Sequence, residues 1–188
     1  MKVLVACEFS GIVREAFRAR GHYAFSCDLL PNEDNSLYHL QDDVMLWLHD
    51  GWDLMIAHPP CTYLANSGVR WLYEKEGRWK EMRKAAKFFK ALLEAPIEKI
   101  CVENPIMHKY GIEVIGRKYD QIIQPWQFGH GETKATCLWL KNLSKLEPTK
   151  VVEEREQRVW KLPPSKDRWK LRSRTYKGIA KAMAEQWG

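Results

Sequence analysis

Hydrophobic positions along the chain form short continuous runs that alternate with longer stretches of helical periodicity. The short runs are apolar and β-branched, and they predict buried strands at residues 3–7, 23–27, 53–57 and 99–102. A helical stripe at residues 12–20 ends at Gly21, and a longer one at residues 74–94 is stopped by Pro96. This alternation predicts an α/β fold, in which a mostly parallel sheet is covered by helices on both faces.

The later part of the chain departs from this alternation. Residues 121–124 and 136–140 predict two more strands, with the glycine-rich loop 129–131 between them. We expect these two strands to form an antiparallel pair at the edge of the sheet. A final helix is predicted at residues 177–186. The chain contains no internal repeat, and its length suits a single domain, residues 1–188.

Composition and the start of the chain bear on location and on metals. Hydrophobic residues make up 45% of the chain, but no run approaches the ~18 apolar residues expected of a membrane span. The chain opens with a strand-like run and lacks the features of a signal peptide, so we expect a cytoplasmic protein with no membrane partner. Its five cysteines show no C-x-x-C spacing, and no metal site is expected.

Positive charge is concentrated in one segment. The formal net charge is +6, and residues 150–177 hold ten Lys and Arg against four acidic residues, which accounts for the whole excess. Residues 141–177 are therefore predicted to be a basic, partly irregular segment. With Trp160, Trp169 and Tyr176 interleaved, it can contact nucleic-acid phosphates and bases, or it can be a solvated tail.

Polar and conformationally special residues follow the predicted strands, where an open α/β sheet binds its ligands. The turn Phe9-Ser10-Gly11 follows the first strand, and the start of the next helix favours an anionic group such as a carboxylate. Asp28 ends the second strand and can accept both hydroxyls of a ribose, and Asp43 in the next loop can contact an adenine. Taken singly, these residues are equally consistent with a tight turn and exposed acids.

The strongest local signal is the sequence His58-Pro59-Pro60-Cys61. Four of the cysteines end or lie within apolar runs and are predicted to be buried thiols: Cys7, Cys27, Cys101 and Cys137. Cys61 instead follows two prolines, which fix the backbone and hold the thiol just beyond a strand. Such rigid presentation favours a nucleophile, because attack requires a defined geometry. His58 is a possible base for this thiol.

Glu103 is the candidate acid that would act together with the Cys61 thiol. It ends an apolar strand and is followed by Asn104-Pro105. Desolvation there is expected to raise its pKa, so that it can act as a protonated donor, although a plain loop glutamate fits the position too. Together, a thiolate and a carboxyl on adjacent strands suggest covalent catalysis on a pyrimidine ring. Addition of the thiolate to carbon 6, with a proton donated to ring N3, makes carbon 5 nucleophilic enough to accept a methyl group from a sulfonium.

These residues resemble the DNA cytosine-5 methyltransferase family. Five segments match its motifs in order and spacing: residues 9–12, the acids at 28 and 43, residues 59–61, residues 102–104 and residues 128–134. The resemblance implies a Rossmann-like class I methyltransferase fold with S-adenosylmethionine as cofactor. It implies catalytic roles for Cys61, Glu103 and Lys134. The cofactor-binding residues that it implies are Phe9, Ser10, Gly11, Asp28, Asp43 and Pro59.

The chain also departs from the family pattern. Val13-Arg14 replaces the usual glycines, and Glu132, Lys134 and Thr136 stand where the family has Gln-x-Arg-x-Arg. Lys134 can still reach a base carbonyl or a phosphate, but bidentate arginine contacts are lost. The family's separate target-recognition domain is absent. In this respect the sequence is similar to the small cytosine methyltransferase-like proteins that phages encode.

These departures leave three functions open. The resemblance favours methylation of DNA, with recognition supplied by the basic segment, by a partner chain or by self-association. A pyrimidine nucleotide or RNA is an alternative substrate, since an unpaired base needs no flipping. The third possibility is a non-catalytic homologue that binds the cofactor or DNA.

Overall fold

Seven strands form one sheet in the computed structural model, which describes all 188 residues. The strands are β1 (Lys2–Ala6), β2 (Tyr23–Asp28), β3 (His39–Gln41), β4 (Leu54–Ala57), β5 (Lys99–Pro105), β6 (Gln121–Ile123) and β7 (Thr136–Lys141). They lie in the order β3-β2-β1-β4-β5-β7-β6. The first five strands are parallel, whereas β7 runs antiparallel to both β5 and β6. The predicted Rossmann-like fold with an antiparallel pair at the edge is confirmed.

Seven α-helices connect and cover the strands. They are α1 (Ile12–Arg18), α2 (Trp71–Glu74), α3 (Arg78–Leu93), α4 (Lys109–Ile115), α5 (Arg158–Lys161), α6 (Arg168–Ser173) and α7 (Lys177–Trp187). The prediction of one helix at residues 74–94 is wrong at its start. Gly77, with φ of 72°, adopts a left-handed conformation that separates α2 from α3.

The continuous apolar runs are explained by burial on both faces of the sheet. On β1, Leu4 and Ala6 point into a core beneath α3 and α4, while Val3 and Val5 point into a second core beneath α1 and α7. Because side chains alternate between the faces of a strand, a strand covered on both sides must be apolar at every position.

Register aligns the carboxyl ends of the central strands. Ala6 of β1 pairs with Ala57 of β4, and Ala57 pairs with Val102 of β5. The residue that follows each of these is therefore placed in one row across the sheet, and these residues are Cys7, His58 and Glu103. A row of polar side chains at this edge follows directly from the strand register.

The basic segment after β7 crosses the outside of this edge. Residues 142–157 contain no helix or strand, although Phe128 and Glu132 form isolated bridges to Lys150 and Glu156. Helices α5 and α6 then interrupt the segment, which the sequence pattern did not predict. No helix of the protein combines the length and the apolar composition needed to cross a membrane.

Trp139 on β7 offers a test of the first core. Its side chain is fully buried and packs edge-to-face against Phe89 at 4.8 Å between ring centroids. We expect Trp139→Ala to lower the free energy of unfolding by about 3–5 kcal/mol, because it leaves a large cavity. Urea unfolding followed by circular dichroism measures this. Trp160, which is 72% exposed, provides the matched control. If Trp139→Ala unfolds at the same urea concentration as Trp160→Ala, the described packing is incorrect.

Candidate active site

A cleft opens at the carboxyl edge of β1, β4 and β5. It encloses about 600 Å³, part of it open to solvent. Its walls come from residues 7–10, 58–61 and 103–105, from Lys134, and from residues 172–175 between α6 and α7. This is the end of the sheet at which α/β folds bind ligands.

The cleft brings together six of the nine residues selected from the sequence. Those that line it are Cys61, Glu103, Lys134, Phe9, Ser10 and Pro59. Gly11 lines a separate surface depression instead, together with Lys177 and Lys181. Asp28 and Asp43 do not line the cleft either, and each accepts a backbone N–H from the turn that follows it.

Cys7 links these two acids to the cleft. Three of the four cysteines predicted to be buried are buried, but Cys7 is partly exposed and lines the cleft. Desolvation raises the pKa of the Cys7 thiol, and the charges of Asp28 and Asp43 raise it further. The two acids therefore lie near enough to affect the pKa of this thiol, although neither lines the cleft.

Two hydrogen bonds fix the backbone that leads into Cys61. The backbone N–H of His58 donates to the Ala6 carbonyl at 2.9 Å, which continues the pairing of β1 and β4. The buried Asn104 side chain donates to the Pro59 carbonyl at 3.3 Å. Burial raises the pKa of the Cys61 thiol, as does the charge of Glu103, whereas Lys134 and Arg172 oppose this rise. In the free protein the thiol form is therefore favoured.

Glu103 differs from the sequence-based expectation. Burial disfavours its charged form, but a hydrogen bond from His58 and the charges of His58 and Lys134 outweigh burial, so the pKa of Glu103 is lowered. The predicted upward shift is wrong, because the Nδ1 atom of His58 lies 2.9 Å from Glu103 Oε2. The same contact argues against His58 as a base for the Cys61 thiol, because its Nδ1 atom is paired with Glu103 instead.

Glu8 is a functional candidate that the sequence reasoning missed. It is 4% exposed and accepts the backbone N–H groups of Val13 at 2.7 Å and Arg14 at 3.1 Å. Desolvation raises the pKa of Glu8, although His58 and the two N–H groups partly offset that rise. The start of α1, expected to favour a ligand carboxylate, is thus already occupied by a carboxyl of the protein itself. Glu8 could have been identified from the sequence by its position, directly after the first predicted strand.

Arg14 explains one departure from the family pattern. Its side chain is completely buried, donates to Ser26 Oγ at 2.8 Å, and forms ion pairs with Glu15 and Asp34. The guanidinium lies against Gly11, where any side chain would collide with it, and Gly11 itself has φ of +71°. Arg14 therefore fills the space beneath this turn.

Two buried polar atoms at the cleft lack a hydrogen-bond partner, namely His58 Nε2 and Asn104 Oδ1. Buried polar atoms in proteins are almost always satisfied, so such positions are typically completed by a ligand or by water. The cleft therefore has the unsatisfied polar atoms of a binding site.

Several groups in this cleft are suited to the methyl donor that the resemblance implies, S-adenosylmethionine. Phe9 is largely buried and provides an apolar wall, and the carboxyl groups of Glu8 and Glu103 suit the positive charge of a sulfonium. Phe9, Ser10 and Pro59 are the residues that would hold it. No cluster of three or more His, Cys, Asp or Glu side chains could bind a metal ion.

Comparisons with known proteins give distant structural matches. No protein-family model matches the chain, and neither does any curated protein sequence. Among solved structures, it is similar to the methyltransferase EhMeth of Entamoeba histolytica, with 14% identity and a TM-score of 0.47 over 81% of the chain. It is also similar to a mutant of DNMT2 from Spodoptera frugiperda, with 15% identity and a TM-score of 0.39 over 87% of the chain. The matches cover 57% and 55% of those two proteins, so the chain spans little more than half of either.

The charges around Cys61 predict how its reactivity depends on pH. Glu103 raises the pKa of the thiol and Lys134 lowers it. We therefore expect Glu103→Gln to shift the alkylation profile of Cys61 to lower pH, and Lys134→Ala to shift it to higher pH. Iodoacetamide rates between pH 6 and 10, followed by mass spectrometry of the Cys61 peptide, measure both shifts.

Cys61→Ser is the control for that experiment, because it identifies any label that comes from Cys7. Shifts in the same direction for both variants, or no shift for either, would contradict the described electrostatics of the cleft.

Proposed function

We propose that this protein is an S-adenosylmethionine-dependent methyltransferase that methylates carbon 5 of cytosine in DNA through a covalent Cys61 adduct. One observation carries the proposal. A thiol fixed by two prolines and a buried carboxyl on the neighbouring strand open into the same cleft at the ligand-binding edge of the sheet. This combination is what covalent activation of a pyrimidine requires.

Each residue has a defined role in this reaction. Cys61 adds to carbon 6 of the ring, and Glu103 carries a proton to ring N3, which allows carbon 5 to become nucleophilic. When bound, S-adenosylmethionine supplies an electrophilic methyl group. Lys134 and Arg172 favour the thiolate, since both lower the pKa of Cys61. Lys134 is also available to a base carbonyl or a phosphate.

An unpaired pyrimidine, in a nucleotide or in RNA, is the second candidate substrate. Residues 172–175 line the cleft, and the Lys134 ammonium donates to the Arg174 carbonyl at 3.3 Å. Trp169 of the same segment packs on Phe9, with 5.8 Å between ring centroids. Chemistry on a base requires that the base leave its stack, so a cleft walled in this way suits a flipped or an unpaired base. For DNA, recognition would come from the basic segment or from a partner chain or second copy.

The alternative to an enzyme is a non-catalytic homologue that binds the cofactor or DNA. The protein on its own favours a Cys61 thiol and a Glu103 carboxylate, whereas the reaction needs a thiolate and a protonated carboxyl. Binding of S-adenosylmethionine measured by calorimetry, with no turnover on DNA, RNA or nucleotides, would favour this alternative.

Methyl transfer tests the proposed function directly. We expect the protein to transfer labelled methyl groups from S-adenosylmethionine to cytosine in DNA. Cys61→Ser should abolish the transfer, and Glu103→Gln should slow it by about 10²–10⁴-fold, the usual contribution of a general acid. The matched control is Glu98→Gln, which alters an exposed glutamate just before the opposite end of the same strand.

Trapping of the adduct identifies the nucleophile. DNA that contains 5-fluorocytosine should form a complex with the protein that survives denaturation, because fluorine at carbon 5 cannot leave as a proton would. Mass spectrometry should locate the bond at Cys61. Transfer that persists in Cys61→Ser, or an adduct at another residue, contradicts the mechanism.

A further inference from the structure

His58 occupies a buried position between acidic groups. Its side chain is 8% exposed, and Nδ1 lies 2.9 Å from Oε2 of Glu103, which is itself 12% exposed. On another side its charge acts on Glu8. The remaining ring nitrogen, Nε2, is buried without a hydrogen-bond partner. Neither contact holds the backbone of residues 58–61, which is fixed separately by hydrogen bonds with Ala6 and Asn104.

The hydrogen bond identifies where a proton resides. An ionised carboxylate can only accept hydrogen bonds, so Nδ1 of His58 must be the donor when Glu103 is charged. The pKa of Glu103 is lowered, which makes the carboxylate its resting form. A carboxylate cannot donate a proton to ring N3. The nearest side chain that can supply one is His58, a single hydrogen bond away, when both of its ring nitrogens carry a proton.

We propose that His58 is a positioning residue that stores, on its imidazolium, the proton that Glu103 delivers to ring N3 of the substrate. This inference rests on the proposed function and names the proton source for that same site. The carboxylate serves as the contact to the base, and the histidine serves as the reservoir behind it.

The proton and electrons balance in each step. The Cys61 thiol first releases its proton to water. A lone pair of the resulting thiolate forms the bond to carbon 6, the C5=C6 pair moves to C4–C5, and the C4=N3 pair moves to N3. N3 takes a proton from Glu103, which receives the Nδ1 proton of His58 and remains a carboxylate. His58 is then neutral. After methyl transfer to carbon 5, the proton on carbon 5 leaves to water, the C6–S bond breaks to restore the thiolate, and the N3 proton returns to the pair.

Charged and titratable groups face His58 from four strands. They are Glu8 after β1, Asp28 at the end of β2, Glu103 on β5 and Lys134 before β7. Tyr176, before α7, shares a small cavity with His58 and donates its hydroxyl to Glu132. Three of these four charged groups are acids, so the imidazolium has opposite charges around it, and Lys134 is the positive group among the four.

The variant His58→Asn distinguishes a role of His58 in proton storage from a purely structural role. The asparagine amide nitrogen can take the place of Nδ1 and donate to Glu103, but it cannot be ionised. We expect kcat at neutral pH to fall by about 10²–10⁴-fold with little change in KM for DNA. Loss of the His58 charge should raise the pKa of Glu103. Activity of the variant should therefore increase as the pH falls towards that pKa, where Glu103 itself carries the proton.

Two further measurements separate this inference from simpler explanations. His49→Asn, at an exposed histidine outside the cleft, should leave kcat and its pH profile unchanged. Carbon-13 NMR titration of the Glu103 carboxyl, without cofactor or DNA, should show a higher pKa in His58→Asn than in the unmodified protein. The double variant His58→Asn/Glu103→Gln should be about as slow as Glu103→Gln alone, because the two side chains act as one unit.

The outcomes are distinguishable. Absence of methyl transfer by the unmodified protein overturns the proposed function, and the role of His58 with it. A rapid His58→Asn enzyme with the original pH profile, or an unchanged Glu103 titration, overturns the role of His58 and leaves the proposed function standing.

Discussion

The hydrogen bond between His58 and Glu103 joins the ends of two neighbouring strands and fixes the charge state of the cleft. It arises from register, since Ala57 pairs with Val102 and the next residue on each strand extends the same row. Both partners are buried, so the net gain in stability from the pair is small, although removal of one partner leaves an uncompensated polar group. Its main consequence is therefore electrostatic. It holds a carboxylate at a position where burial alone would have produced a neutral acid.

That carboxylate in turn controls the thiol. Glu103 raises the pKa of Cys61, while Lys134 and Arg172 lower it. The two groups are thus coupled: while Glu103 is charged, the Cys61 thiolate is disfavoured. Neutralisation of the Glu103 charge by a proton would remove that opposition at the moment when the thiolate is needed. The resting protein is consequently an unreactive combination of thiol and carboxylate, and protonation of Glu103 would favour the Cys61 thiolate.

Much of this arrangement can be predicted from the sequence, and the failures at the site itself share one cause. Buried strands can be recognised because both of their faces need apolar side chains. The polar residues that follow the four predicted strands are conspicuous for the same reason. The short strand β3, by contrast, is only partly buried and has no apolar run. His58 and Glu103 are 45 positions apart, and no periodic pattern reports which way either side chain points. The direction of the Glu103 pKa shift depends on that one contact, so burial alone gave the wrong sign. Glu8 was missed similarly, because its partners are backbone N–H groups whose orientation appears only once α1 forms.

The region around α1 shows how the departures from the family pattern depend on one another. Glu8 satisfies the N–H groups of Val13 and Arg14, a role that a bound anion can play at an open helix start. Arg14 occupies the volume beside Gly11, and its buried charge is balanced by Asp34 and Glu15. Because this space and these donors are used internally, a ligand at the first turn must be held by side-chain walls such as Phe9 and by the cleft that also contains Cys61. Cofactor and substrate would then share one compact site, in which the charges of Glu8 and Glu103 act on both.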